Sequence, residues 1–273
     1  MLKISVKIIL LLLVFASVSG NYLYSQLQGS GTKSDPYLIF TKDELMQIEN
    51  HPGTPENLKY FVLKRNIRDS VRTPIKKIEN AVFDGQGYKI TLAIDDFNQQ
   101  YHYTVALFCN AVGNVEIKNL VIDGYVNGYF AAGIIGDSKH SKNRINLTNN
   151  VNLARITGTN CASGFLHEGF DTLIIDMSIN LGYCKAIAVD LPGRPVGGFI
   201  SHFGFGRDVG ELTISNSINS SFLKSNDYVS GFLGLENIYT VWDFPYSKTV
   251  LFKSFNTGVL SAKKVFPFLQ IRK

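Results

Sequence analysis

A repeat constrains this chain more than any other feature of its sequence. Four segments end alike: Ala132-Gly133-Ile134-Ile135-Gly136, Ser163-Gly164-Phe165-Leu166, Gly197-Gly198-Phe199-Ile200 and Ser230-Gly231-Phe232-Leu233-Gly234. The glycines Gly133, Gly164, Gly198 and Gly231 follow one another at intervals of 31, 34 and 33 residues. A second block precedes each: Ile117-Lys118-Asn119-Leu120, Leu147-Thr148-Asn149-Asn150, the looser Ile175-Asp176-Met177-Ser178, and Ile214-Ser215-Asn216-Ser217. Two blocks recurring in one order at a fixed spacing mark a stacked array, in which no unit buries its apolar face without its neighbours.

The blocks read as strands. Val115-Glu116-Ile117-Lys118-Asn119-Leu120 and Thr213-Ile214-Ser215-Asn216-Ser217-Ile218 are rich in β-branched residues and largely alternate apolar with polar. A Gly, Asn or Ser cluster suited to a turn closes each one. No helix-length 3.6-residue periodicity follows residue 52. The expected fold class is all-β, a β-solenoid whose coils stack about 4.8 Å apart with Ile, Val, Leu and Phe inside. Asn residues would stack from coil to coil and hydrogen-bond along the axis. A β-sandwich with regular strand spacing is the alternative. Hydrophobic residues make up 45% of the chain, enough for a packed core and too many for a disordered one.

The paired blocks resemble the GLUG repeat, with Ile214-Ser215-Asn216-Ser217-Ile218-Asn219 and Tyr228-Val229-Ser230-Gly231-Phe232-Leu233-Gly234 the nearest copy. Gly29-Ser30-Gly31-Thr32-Lys33-Ser34-Asp35-Pro36-Tyr37-Leu38-Ile39 and Phe83-Asp84-Gly85-Gln86-Gly87-Tyr88-Lys89-Ile90 are similar to the opening segment and first rung of secreted β-helices. The resemblance implies a right-handed parallel β-helix on an exported surface or adhesion-type protein, such as a variable surface antigen. It implies no reaction and no cofactor.

Residues 1–20 have the pattern of a secretory signal peptide: Lys3 and Lys7, an apolar run from Ile8 to Ala16, then small residues. The mature chain would be secreted or on the cell surface, with no membrane span left after cleavage. Residues 21–80 form a lead-in and N-terminal cap, where Thr41 and Glu44 make a capping box for one short helix. Solenoid repeats occupy 81–262 and a tail 263–273. Asn146-Leu-Thr148 and Asn219-Ser-Ser221 match the glycosylation pattern, so Asn146 and Asn219 are candidate acceptors on a glycoprotein. Cys109, Cys161 and Cys184 allow one disulfide and fit no metal or redox spacing.

The chemistry-bearing residues are scattered. Asp95-Asp96 is the one Asp-Asp doublet and reads as a solvated loop. Asp84, between turn glycines Gly85 and Gly87, reads as a carboxylate bonded to its own backbone. Gly133, Gly164, Gly198 and Gly231 read as structural turn positions. His167-Glu168 opens like a zinc-protease motif, but Asp171 stands where the second His is needed. His167 and His202 share a repeat offset and read as a surface ladder, so no metal and no catalytic residue is expected. A net charge of +5, without a dense stripe, disfavours nucleic acid. The residues read as binding candidates are Trp242, Tyr239 and Tyr246, with Arg194 and Arg207, on the variable insertions. Those aromatics could equally plug the C-terminal end of the solenoid. The expected function is a non-catalytic solenoid that presents loops to an extracellular glycan or a host or matrix protein. A carbohydrate-active enzyme on the same fold is the alternative.

Overall fold

One coil shows how the sequence becomes structure. Strand Arg144–Thr148 alternates its burial, with Ile145 and Leu147 inside and Arg144 and Thr148 outside. The chain then turns through Asn149, whose φ of 54° lies in the left-handed region. Strands Val151–Asn152 and Arg155–Ser163 follow, the backbone bends at Gly164, and Leu166–Gly169 closes the coil. The next coil begins at Thr172 in register: Ile145 pairs with Leu173 and Leu147 with Ile175. Those two pair in turn with Leu212 and Ile214.

The computed structural model describes residues 27–98, 104–138, 143–169, 172–187, 195–203, 210–236 and 248–271. It is 62% strand and 4% helix, with parallel, curled sheets in a solenoid-like stack. Among the described residues the strands form a 13-stranded and a 15-stranded sheet, in which each strand's neighbours come from adjacent coils. No helix among them is long and apolar enough to cross a membrane. The helix Lys42–Met46 carries the capping box, with Glu44 N–H donating to Thr41 Oγ1 and Thr41 N–H to Glu44 Oε2. Leu45 and Ile48 bury into the core beside it.

Three interior rows run along the axis. The first is aromatic: Phe165 stacks on Phe199 at 4.6 Å, Phe199 on Phe232 at 5.1 Å, and Phe232 faces Phe268 at 6.3 Å, all within 16° of parallel. Each such pair adds about 0.5–1.5 kcal/mol beyond the area it removes from water. The second row is amide: Asn152 Nδ2 donates to Asn180 Oδ1 at 2.8 Å, Asn180 to Asn219 at 3.1 Å, and Asn219 to Asn256 at 2.8 Å. The third is hydroxyl: Ser178, Ser217 and Ser254 each donate to the carbonyl two residues back and accept a backbone N–H from the preceding coil. Buried polar groups are tolerated only when paired, and these are.

The glycine repeat belongs to the amide row. A Cβ on Gly164 would meet Gly198 O at 2.4 Å and Asn180 Nδ2 at 2.6 Å, and Gly231 is equally crowded by Pro267 O and Asn256. The positions need glycine because neighbouring coils and the amides approach so closely.

Each corner needs a left-handed residue, which costs an ordinary side chain about 1–2 kcal/mol. Asn119, Asn149 and Asn216 fill it at φ 49–54°, whereas Met177 holds it at 47° with 51% of its surface exposed. Met177→Asn is expected to raise stability by about 1 kcal/mol. Its amide would sit between Asn149 and Asn216 on the neighbouring coils. The urea midpoint read by circular dichroism measures this; an unchanged midpoint would mean that the corner carries no strain.

Two sequence expectations about the fold need correction. Stacked strands are not confined to 81–262: pairing begins with Tyr37–Ile39 and continues through Lys264–Phe266 and Leu269–Ile271, within the segment read as a tail. Asn219 cannot carry a glycan, because it is fully buried and its amide is part of the axial row. The sequence left open whether a disulfide forms; Cys109, Cys161 and Cys184 are all buried free thiols.

Burial pushes the Cys109 and Cys184 thiols up to about 12 from an ordinary value of 9.0. A group that ionises higher in the folded chain contributes stability below its unfolded value and loses it as pH climbs toward the folded one. The urea midpoint is therefore expected to fall from about pH 9 upward. Iodoacetamide at pH 8, followed by mass spectrometry, is expected to label neither thiol until denaturant is added.

Candidate functional site

Outward-facing residues of the 15-stranded sheet form rows as regular as those inside. Val121, Val151, Ile179, Ile218 and Phe255 lie in register on successive coils. Two residues further on, Leu153 and Leu181 are exposed. The next row runs Tyr125, Arg155, Tyr183, Phe222 and Val259. Tyr183 and Phe222 stack at 5.4 Å and 5° from parallel, and the Arg155 guanidinium lies 5.4 Å from the Tyr183 ring centre. Lys185 and Lys224 continue the face, paired with each other and with Thr157 and Ser261. An apolar stripe of this extent, rimmed by three cations, makes this face the candidate interaction surface. Strand alternation produces it: residues that flank buried Asn180 and Asn219 must point outward.

The residues singled out from sequence are distributed differently. Trp242, Tyr239, Tyr246, Arg194 and Arg207 lie outside the described residues, as does the 1–20 segment. Asn146 is half-buried in the middle of strand Arg144–Thr148. Asp84 Oδ1 accepts from Gln86 N–H at 2.9 Å and from Asn119 Nδ2 at 2.9 Å. Gly85 is packed against Asn119 O, while Gly87 has φ 77° and open space around it.

Glu116, Asp123, Asp95 and Asp96 do not gather into a hydrolytic pair. Glu116 is bound to Lys118 at 2.7 Å on one sheet, and Asp123 to Lys89 at 2.8 Å on the other. The Lys89 ammonium beside it, with a Gly124 N–H, holds the Asp123 carboxyl below its usual range. Asp95 and Asp96 end a strand and do not form a solvated loop; Asp96 is buried. Asp95 pairs with Asn127, four residues along the strand from Asp123, about 13 Å away at the usual rise.

Sequence reasoning missed one gathering. Asp137, His167 and Glu168 bring one donor atom each within 4.8 Å of one another. Asp137 pairs in register with Glu168, and Glu168 with His202. The His167 ring stacks on Phe130 at 4.5 Å and meets His202 edge-on at 5.3 Å. The shared repeat offset of His167 and His202 was the available signal; Asp137 lies on the preceding coil, in no motif.

A basic concavity of about 420 Å³ near the N-terminal end is lined by Lys42, Arg65, Arg68, Asp69 and Tyr88, among others. Its Arg65 is committed to Phe40 O at 2.6 Å.

No family model matches this chain, and no curated protein is significantly similar to it. Among solved structures it is similar to a protein of Bacteroides ovatus described as a "putative immunoglobulin A1 protease". The TM-score is 0.55 at 16% identity, covering 92% of this chain and 87% of the other. At that identity the likeness is one of fold.

Proposed function

We propose that this chain is an exported, non-catalytic member of the GLUG-repeat β-helices, wound right-handed, that binds an extended acidic polysaccharide along the outer face of its 15-stranded sheet. The observation that carries this reading is the parallel pair of half-buried Tyr183 and exposed Phe222, with Arg155 over one ring and Lys185 and Lys224 alongside. Flat aromatic rings accept the apolar faces of sugar rings, and cations spaced along the axis match repeating carboxylates or sulfates. Rows that recur at each coil suit a polymer, whose affinity sums over many weak contacts. Hydrolysis needs two carboxylates about 5–9 Å apart. Glu116, Asp123, Asp95 and Asp96 are dispersed, and the close pair Asp137 and Glu168 lies on the 13-stranded sheet, away from this face, which favours binding here.

The test is an array of acidic glycans, neutral glycans and matrix proteins probed with the full chain. Acidic polysaccharides are expected to bind, with affinity falling as salt is raised. Tyr183→Ala with Phe222→Ala is expected to weaken binding at least tenfold while leaving the circular dichroism spectrum intact. Absence of glycan binding, or binding indifferent to both changes, would overturn the reading.

A further inference from the structure

We infer that Asp137, His167 and Glu168, with His202 as a fourth donor, form a binding site for a first-row transition ion of the zinc class. The site is built by stacking. Asp137, Glu168 and His202 occupy one register position on three successive coils, so strand pairing fixes their order and spacing. His167, one residue before Glu168, is 3% exposed, and its ring is clamped between Phe130 at 4.5 Å and His202 at 5.3 Å. Asp137 is 8% exposed. Two carboxylates within 4.8 Å of each other, one of them buried, are accommodated by a shared proton or by positive charge beside them, and a bound cation is one source of that charge.

The donor set selects the ion class. Calcium and magnesium favour all-oxygen sites, whereas mixed imidazole and carboxylate ligands suit zinc and its neighbours. Donors around tetrahedral zinc stand about 2.1 Å from the ion and so roughly 3.4 Å from one another. Donor atoms already within 4.8 Å of one another have at most about 1.4 Å to close. The face concerned belongs to the 13-stranded sheet, which carries Asp137, His167 and His202, so the site is separate from the proposed glycan-binding surface.

The experiment is titration of the untagged, chelator-treated full chain with zinc chloride, followed by calorimetry and thermal melting, with cobalt(II) as a spectroscopic probe. One zinc per chain, a melting temperature raised by several degrees and a visible cobalt spectrum of low coordination number are expected. His167→Gln and Glu168→Gln are each expected to weaken zinc binding at least tenfold. The wild-type titration stands alone if a variant fails to fold: no uptake of zinc or cobalt at 100-fold excess would overturn the site. So would uptake that both folded variants retain, since the ion would then lie elsewhere. A cluster that is simply an internal imidazolium–carboxylate network would give that first negative result.

Discussion

Gly198→Ala is expected to leave little folded protein. The added Cβ would lie 1.9 Å from Gly231 O and 2.7 Å from the Asn219 amide. Neither neighbour is a flexible side-chain tip. One is backbone of the next coil, and the other is locked into the axial row. Overpacking ordinarily costs about 1–3 kcal/mol, and a clash between two backbones falls at or beyond the upper end. Total stability is only about 5–15 kcal/mol, and each coil holds the next, so the damage spreads both ways. Gly87→Ala supplies the contrast: its surroundings are open and only its φ of 77° opposes a side chain, so about 1 kcal/mol is expected. Soluble yield, limited proteolysis and urea midpoints of the two variants check this. Equal behaviour would refute the close-approach argument.

Asn180→Leu is expected to cost about 4 kcal/mol although leucine is nearly the same size and more apolar. Asn180 accepts from Asn152 Nδ2 at 2.8 Å and from Gly182 N–H at 3.3 Å, and it donates toward Asn219 Oδ1 at 3.1 Å. Leucine strands all of those buried partners, and each costs about 1–3 kcal/mol when unmet. Asn256→Leu, at the end of the row, removes one amide neighbour and is expected to cost about half as much. Chemical denaturation of both variants gives the comparison. A loss below about 1 kcal/mol for Asn180→Leu would mean that the row is dispensable.

Much of the fold was legible because stacking is written into one chain. The recurring Gly-apolar pairs and the Asn positions reported the interior rows, since only glycine fits beside a buried amide on the next coil. What failed did so for a physical reason. Asn219-Ser-Ser221 reads as a surface signal, yet Asn219 is the inward member of the alternation and Ile218 the outward one. The coils before residue 81 escaped notice because Ile67, Ile90 and Ile122 fill with aliphatic packing what later coils fill with amides. The outer face was hidden for the opposite reason: Val151, Leu153, Tyr183 and Phe222 look like core by composition, and only register puts them outside. Asp137 carried no signal, because its meeting with His167 and Glu168 depends on how residues 30 or 31 positions apart in sequence align across coils.

The amide row also has a sense. Every donor points the same way, from Asn152 to Asn180 to Asn219 to Asn256. Each amide oxygen is fixed locally by a donor two residues ahead: Ala154 N–H on Asn152, Gly182 N–H on Asn180, the Ser221 hydroxyl on Asn219, and Gly258 N–H on Asn256. One reversed amide would set oxygen against oxygen on one side and nitrogen against nitrogen on the other. The four therefore act as a single line of aligned dipoles, each polarising the next, with only one orientation compatible with the backbone that surrounds it.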